Sequence, residues 1–187
     1  MFGTLFPESE RAQVGVRPPQ SISREGEMTG PRCILGIDPG ISGAIAFFFP
    51  DHPERVACED MPVAGGNADA VTLAARISIM APDVVIIEQV GAMPGQGVSS
   101  TFKFGRAFGT VIGVIGALKL PLHLVAPTRW KAHFRLSKDK EEARALALRT
   151  FPACGGQFQR KKDHGRAEAA LIARYGAETL HLIGGAE

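Results

Sequence analysis

The sequence predicts an α/β domain built on a mixed five-stranded sheet, and three observations predict it. Three short apolar runs come early, separated only by turn residues, as in an antiparallel meander. A fourth run, Val84-Val85-Ile86-Ile87-Glu88, is apolar at every position but the last, the pattern of a strand covered on both faces and paired in parallel. Amphipathic segments flank that run and dominate the rest of the chain, so helices are expected on both faces of the sheet.

In chain order, residues 1–31 mix Pro, Ser, Gly and charge without an apolar period and read as a mobile extension. The domain is expected over 32–178, with a tail at 179–187. The first strand runs Cys33–Asp38 and is broken by Pro39-Gly40; the second runs Ala44–Phe49 and stops at Pro50; the third is Arg55–Met61. Ala68–Met80 places Val71, Leu73, Ala74, Ile77 and Met80 largely on one helical face. After the Val84–Glu88 strand, a Gly-rich loop leads to a long helix at about Ser100–Leu118. A short strand at Leu122–Val125 follows, then helices at Pro127–Phe134, Lys138–Thr150 and Gly165–Gly176. The long helix carries Gly105, Gly109 and Gly113 four apart, a flat stripe that suits packing against the sheet or another helix, or a subunit contact.

The length of 187 residues suits one domain, and a net charge of +2 does not by itself call for a polyanionic partner. Cys33, Cys58 and Cys154 are odd in number and lack CxxC spacing, which argues against zinc or a disulfide framework. No run approaches the ~18 apolar residues of a membrane span. The first thirty residues lack a signal-peptide core, and Glu8, Glu10, Glu25 and Glu27 are unlike a transit peptide. A soluble cytoplasmic protein is expected.

The chemistry lies in the acids. Asp38 and Glu88 each close an otherwise apolar strand, and the crevice beyond the carboxyl ends of strands is where open α/β sheets place function. Asp38 alone, before Pro39-Gly40, could be a turn former. Glu88 has little structural reason to end an Ile-Ile strand. Acids on neighbouring strands repel and are costly to bury, so a cation must offset them; oxygen donors select Mg²⁺ or Mn²⁺ over zinc. Downstream, Glu168 lies among alanines on a helix, His164 shares its face four residues earlier, and Asp163 stands where a helix N-cap belongs. Plainer readings are a cap for Asp163, a surface histidine for His164 and a solvated acid for Glu168. Converging acids suit phosphodiester hydrolysis with two metal ions, or with one ion and His164 as proton carrier.

These residues resemble a known family. Ile37-Asp38-Pro39-Gly40, Ile87-Glu88-Gln89-Val90 and the block Asp163-His164-Gly165-Arg166-Ala167-Glu168-Ala169, in that order across about residues 33–176, resemble RuvC-type Holliday-junction resolvases of the short phage and bacterial branch. The resemblance implies a ribonuclease-H-like fold and a homodimer making paired nicks in a four-way DNA junction. It implies Asp38, Glu88 and Glu168 as metal ligands, with Asp163 or His164 as the fourth, and it moves the glycine-striped helix toward a dimer interface. One departure concerns the position three residues after the glutamate: many of these proteins have a large aromatic there, and this chain has Gly91. Met93, Phe102 and Phe104 are candidate substitutes.

Eleven bases against four acids between Arg129 and Arg166 make that stretch +7 and leave −5 for the remainder of a chain of net +2. Such asymmetry suits a phosphate-binding face; an ordinary helical surface with paired charges is the plainer account. Arg129, Lys131, Lys138 and Lys140, with Lys103 and Arg106 from the long helix, are the expected DNA contacts. Lys131 resembles the family lysine that approaches the active-site phosphate and is counted with the catalytic set, while its neighbour Trp130 is expected to be buried. Competing readings are a nuclease for other branched DNA or RNA, a junction-binding protein without chemistry, and an actin-like ATPase. Asp38-Pro39-Gly40-Ile41-Ser42-Gly43 also resembles the phosphate loop of those ATPases, but the chain shows one domain and no second loop of that kind.

Overall fold

The computed structural model describes residues 32–89, 91 and 97–183. The expected extension at 1–31 and Met93 lie outside the described residues. Strands β1 (Ile34–Asp38), β2 (Ala44–Phe48), β3 (Val56–Asp60), β6 (Val84–Glu88) and β7 (Leu122–Val125) form one sheet in the order β3-β2-β1-β6-β7. β1 pairs antiparallel with β2, and β2 with β3, whereas β6 runs parallel to both β1 and β7. The mixed sheet expected from the sequence, with its first three strands antiparallel, is the sheet found.

Alternation along the strands gives the sheet two apolar faces. Ile34, Phe48, Val84 and Ile86 face the core shared with α3 (Pro127–His133), α4 (Lys140–Thr150) and α5 (His164–Ile183). Leu35, Ile37, Phe47, Val85 and Ile87 face α1 (Ala70–Met80) and α2 (Val98–Ala117). No helix of the described residues is long and apolar enough to cross a membrane.

Several boundaries differ from the expected ones for identifiable reasons. The expected helices at Ala68 and Lys138 begin later because Asp69 and Asp139 act as N-caps: Asp69 accepts from the Val71 N–H at 3.1 Å and Asp139 from the Glu141 N–H at 2.9 Å. The last helix continues through Ile183, past the expected end at Gly176. A small hairpin, β4 (Val63–Ala64) with β5 (Asn67–Ala68), turns through Gly65 and Gly66 at φ 57° and 71°, left-handed values suited to a two-residue hairpin loop. The glycine stripe does not pack on the sheet. The sheet-facing residues of α2 are Ala107, Val111, Val114 and Ile115, and a Cβ built at Gly105, Gly109 or Gly113 would meet nothing within 4 Å.

Two further contacts fix the layers and the sheet margin. A Cβ at Gly36 would stand 2.2 Å from the Ala169 carbonyl oxygen and 2.5 Å from the Ala173 nitrogen, so α5 lies directly on β1 because position 36 is glycine. At the outer edge of the sheet, the Gln157 side chain donates to the Val56 carbonyl at 2.9 Å and accepts from the Cys58 N–H at 2.6 Å.

Candidate active site

Three acids meet at one end of the sheet because three elements bring them there. The parallel register sets Ile37 opposite Ile87, so the next residues along, Asp38 and Glu88, leave adjacent strands side by side. The close seat of α5 on β1 carries Glu168 over the same strand ends. Gly43 completes the wall: a Cβ there would lie 2.8 Å from the Asp38 carboxyl carbon. Glu88 and Glu168 are buried, at 8% and 7% exposure.

The cost of this gathering appears in proton affinity. The Asp38 carboxyl is pushed up to about 7, first by burial and then by the negative fields of Glu168 and Glu88; the Gly40 N–H and Lys140 pull the other way. The Glu88 carboxyl is also raised, chiefly by burial. The Trp130 hydrogen bond opposes that rise, Glu168 adds to it, and Lys131 and Lys140 relieve it. Trp130 Nε1 donates to Glu88 Oε1 at 2.9 Å, and Lys131 Nζ donates to Glu168 Oε1 at 2.9 Å. The Lys131 ammonium also lies 5.0 Å from the centre of the Trp130 ring.

Asp163 and His164 part company. Asp163 is buried, and both of its oxygens accept from Arg160, through the backbone N–H and the guanidinium. That pairing holds its carboxyl below the usual range. His164 instead meets Lys140, whose Nζ donates to its Nε2 at 3.2 Å, and Lys140 is the lysine whose field reaches both Asp38 and Glu88. Beside His164 opens a cleft of about 660 Å³ lined by Lys138, Lys140, Lys161 and Lys162, with Asp139 and Glu141 between them. Arg129 is exposed on α3. Lys103 and Arg106 stand apart, on the helix covering the opposite face, and Arg106 donates to the Gly66 carbonyl at 3.3 Å.

Sequence reasoning missed three of these relations. Lys161 and Lys162 belong to the basic stretch, but nothing local marks them as walls of a cleft. The Arg160–Asp163 pair depends on a 3₁₀ turn at Lys161–Asp163. The Trp130–Glu88 bond joins residues far apart in the chain; its one local signal is that the only tryptophan directly precedes Lys131.

The donor set fits a hard divalent cation in kind. Three neighbouring carboxylates, with those of Asp38 and Glu88 raised in proton affinity, carry negative charge that a cation relieves. The acids are not arranged as a finished ligand shell: among the described residues, no three His, Cys, Asp or Glu side chains stand together at metal-binding spacing. As they stand, Glu168 holds Lys131 and Glu88 holds Trp130.

No family model matches the chain. Among curated proteins, the chloroplastic Holliday junction resolvase MOC1 of Chlamydomonas reinhardtii is 30% identical over 91 residues. That match takes in 48% of this chain and 10% of the algal protein, so the chain spans about a tenth of that relative's length. Among solved structures, Thermus thermophilus RuvC in complex with a Holliday junction substrate aligns with a TM-score of 0.56 at 17% identity, over 80% of this chain and 96% of that one. The fowlpox virus resolvase, solved with Holliday junction DNA, aligns at 0.51 and 15% identity over 79% of this chain and 98% of that one. The yeast mitochondrial resolvase Ydc2 aligns at 0.51 and 19% identity, over 79% of this chain and 80% of that one. In its sheet order and in the helices that cover it, the chain has the ribonuclease-H-like fold of the RuvC-type resolvases.

Proposed function

We propose that the protein is a divalent-metal-dependent endonuclease that resolves four-way DNA junctions by paired nicks. The observation that carries this reading is the meeting of Asp38, Glu88 and Glu168, from three separate segments, at one end of the sheet, with the Asp38 carboxyl at about 7. Buried acids that repel one another have no structural purpose here, and a cation site gives them one. The likeness in fold to three resolvases adds weight.

Asp38, Glu88 and Glu168 would hold the metal. His164 is the better fourth member, because both Asp163 oxygens are engaged by Arg160. Bound Mg²⁺ or Mn²⁺, as one ion or a pair, supplies Lewis acidity to the scissile phosphate and to the attacking water. The chain's own groups do the remainder. Lys131, tethered to Glu168, is placed to exchange that carboxylate for a phosphate oxygen. The cleft of Lys138, Lys140, Lys161 and Lys162 tracks the sugar-phosphate backbone without reading sequence. Arg129 extends that basic face along α3. A homodimer meeting along the exposed glycine face of α2 would supply the second nick.

The test is to incubate the chain with a four-way junction, a linear duplex and an RNA hairpin, each with Mg²⁺ or with EDTA. Paired, Mg²⁺-dependent nicks confined to the junction are expected. Glu88→Gln should still bind the junction and leave it uncut. Undiminished cutting by that variant, or cutting in EDTA, refutes the site; equal cutting of the linear duplex refutes the junction.

A further inference from the structure

We infer that Trp130 is a positioning residue for the metal-binding carboxylates, orienting Glu88 through its indole N–H and Lys131 through its ring face. The inference rests on the metal-site reading and adds a role that the reading does not require.

The geometry is specific. Trp130 is fully buried, at 0% exposure, on α3, and its Nε1 stands 2.9 Å from Glu88 Oε1. An indole N–H can only donate and bears no charge. It therefore fixes one carboxylate oxygen without neutralising the acid, leaving the negative charge and the second oxygen for a cation. A lysine at this place would cancel the charge, as Lys131 does at Glu168. The other side of the same ring supports Lys131: its ammonium lies 5.0 Å from the ring centre and bonds Glu168 at 2.9 Å. Attraction between a cation and an aromatic face biases a flexible lysine toward one rotamer. One rigid side chain thus touches the supports of two of the three acids.

A side chain that only filled the core would pack as well without the N–H. Trp130 shares its apolar core with the buried Ala143, Ala147, Phe151 and Phe158. The N–H is the part that a filler does not need, and it is aimed at Glu88.

The experiment measures Mn²⁺ affinity directly, by electron paramagnetic resonance of the free ion, in the wild type, Trp130→Phe and Phe151→Leu. Phenylalanine keeps a ring and removes the donor. Phe151→Leu loosens the same core without touching an acid. Partners that orient metal ligands typically govern affinity by about 10–100-fold. Trp130→Phe should weaken Mn²⁺ binding by that factor, and Phe151→Leu should leave it unchanged while lowering Tm. Equal affinity in Trp130→Phe and the wild type overturns the inference and spares the metal site. Absence of binding in the wild type overturns both. If Trp130→Phe does not fold, the wild type decides, because Trp130 is its only tryptophan. Its emission should change saturably with Mg²⁺ at the affinity measured for binding, and an emission that stays flat through saturation overturns the proposal.

Discussion

Replacing Asp38 with asparagine should make the metal-free protein more stable, and by an amount that depends on pH. In the unfolded chain this carboxyl titrates at 3.8; in the folded protein burial, Glu168 and Glu88 push it up to about 7. Between those values the folded state holds the extra proton. Stability therefore falls as pH rises from about 4 to about 7, by roughly 1.4 kcal/mol per unit, and levels off above 7. Three units amount to about 4 kcal/mol stored against folding at pH 8, a large share of the ~5–15 kcal/mol that holds a domain together. Asparagine keeps the shape and can accept from the Gly40 N–H, which lies 3.5 Å from Asp38 Oδ1, but it never carries the charge. Urea denaturation in EDTA, at pH 5 and pH 8, gives the two differences. The variant should exceed the wild type by about 2–4 kcal/mol at pH 8 and by clearly less at pH 5. Mg²⁺ should narrow the gap at pH 8 by stabilising the wild type alone. A variant that is less stable than the wild type at both pH values, or a difference that ignores pH, would show that the acids do not burden one another.

Other outcomes are expected from the same geometry. Gly36→Ala sets a methyl 2.2 Å from the Ala169 carbonyl oxygen, so α5 must lift from β1; a loss of about 1–3 kcal/mol is expected from denaturation curves, with cleavage falling further as Glu168 is displaced. Asp163→Asn frees Arg160 and should lower Tm near neutral pH while leaving Mn²⁺ affinity intact; because pairing depresses the Asp163 carboxyl, its stabilisation is present above the ordinary carboxylate range and fades as pH drops through the folded value. A fall in metal affinity would instead make Asp163 a ligand. Lys131→Ala should weaken junction binding and reduce the slope of log affinity against log salt by about one; an unchanged slope would mean that Lys131 never meets phosphate.

Much of the architecture was legible because it depends on local pattern. Val84–Glu88 and Leu122–Val125 are bounded as the apolar runs and their breakers imply. The hairpin at Val63–Ala68 was available in Gly65-Gly66 but is too short to leave a hydrophobic period. Asp69 and Asp139 as caps explain why two helices start later than their apolar pattern suggests. In the site, Asp38 and Glu88 stood out as acids ending apolar strands. The choice between Asp163 and His164 did not, because a 3₁₀ turn settles which of two neighbouring side chains meets Arg160 and which meets Lys140. Trp130 read as core and is core; that its N–H also reaches Glu88 depends on folding α3 against the end of β6.

The Gln157 amide at the margin of β3 has a consequence for the outer edge of the sheet. It satisfies the Cys58 N–H and the Val56 carbonyl, two groups that would otherwise invite a foreign strand. With those two groups satisfied, strand addition at the β3 edge is discouraged, while β7 forms the opposite edge of the sheet. In the homodimer proposed above, contact between the same faces of two α2 helices would close after two subunits, whereas strand addition has no natural stopping point.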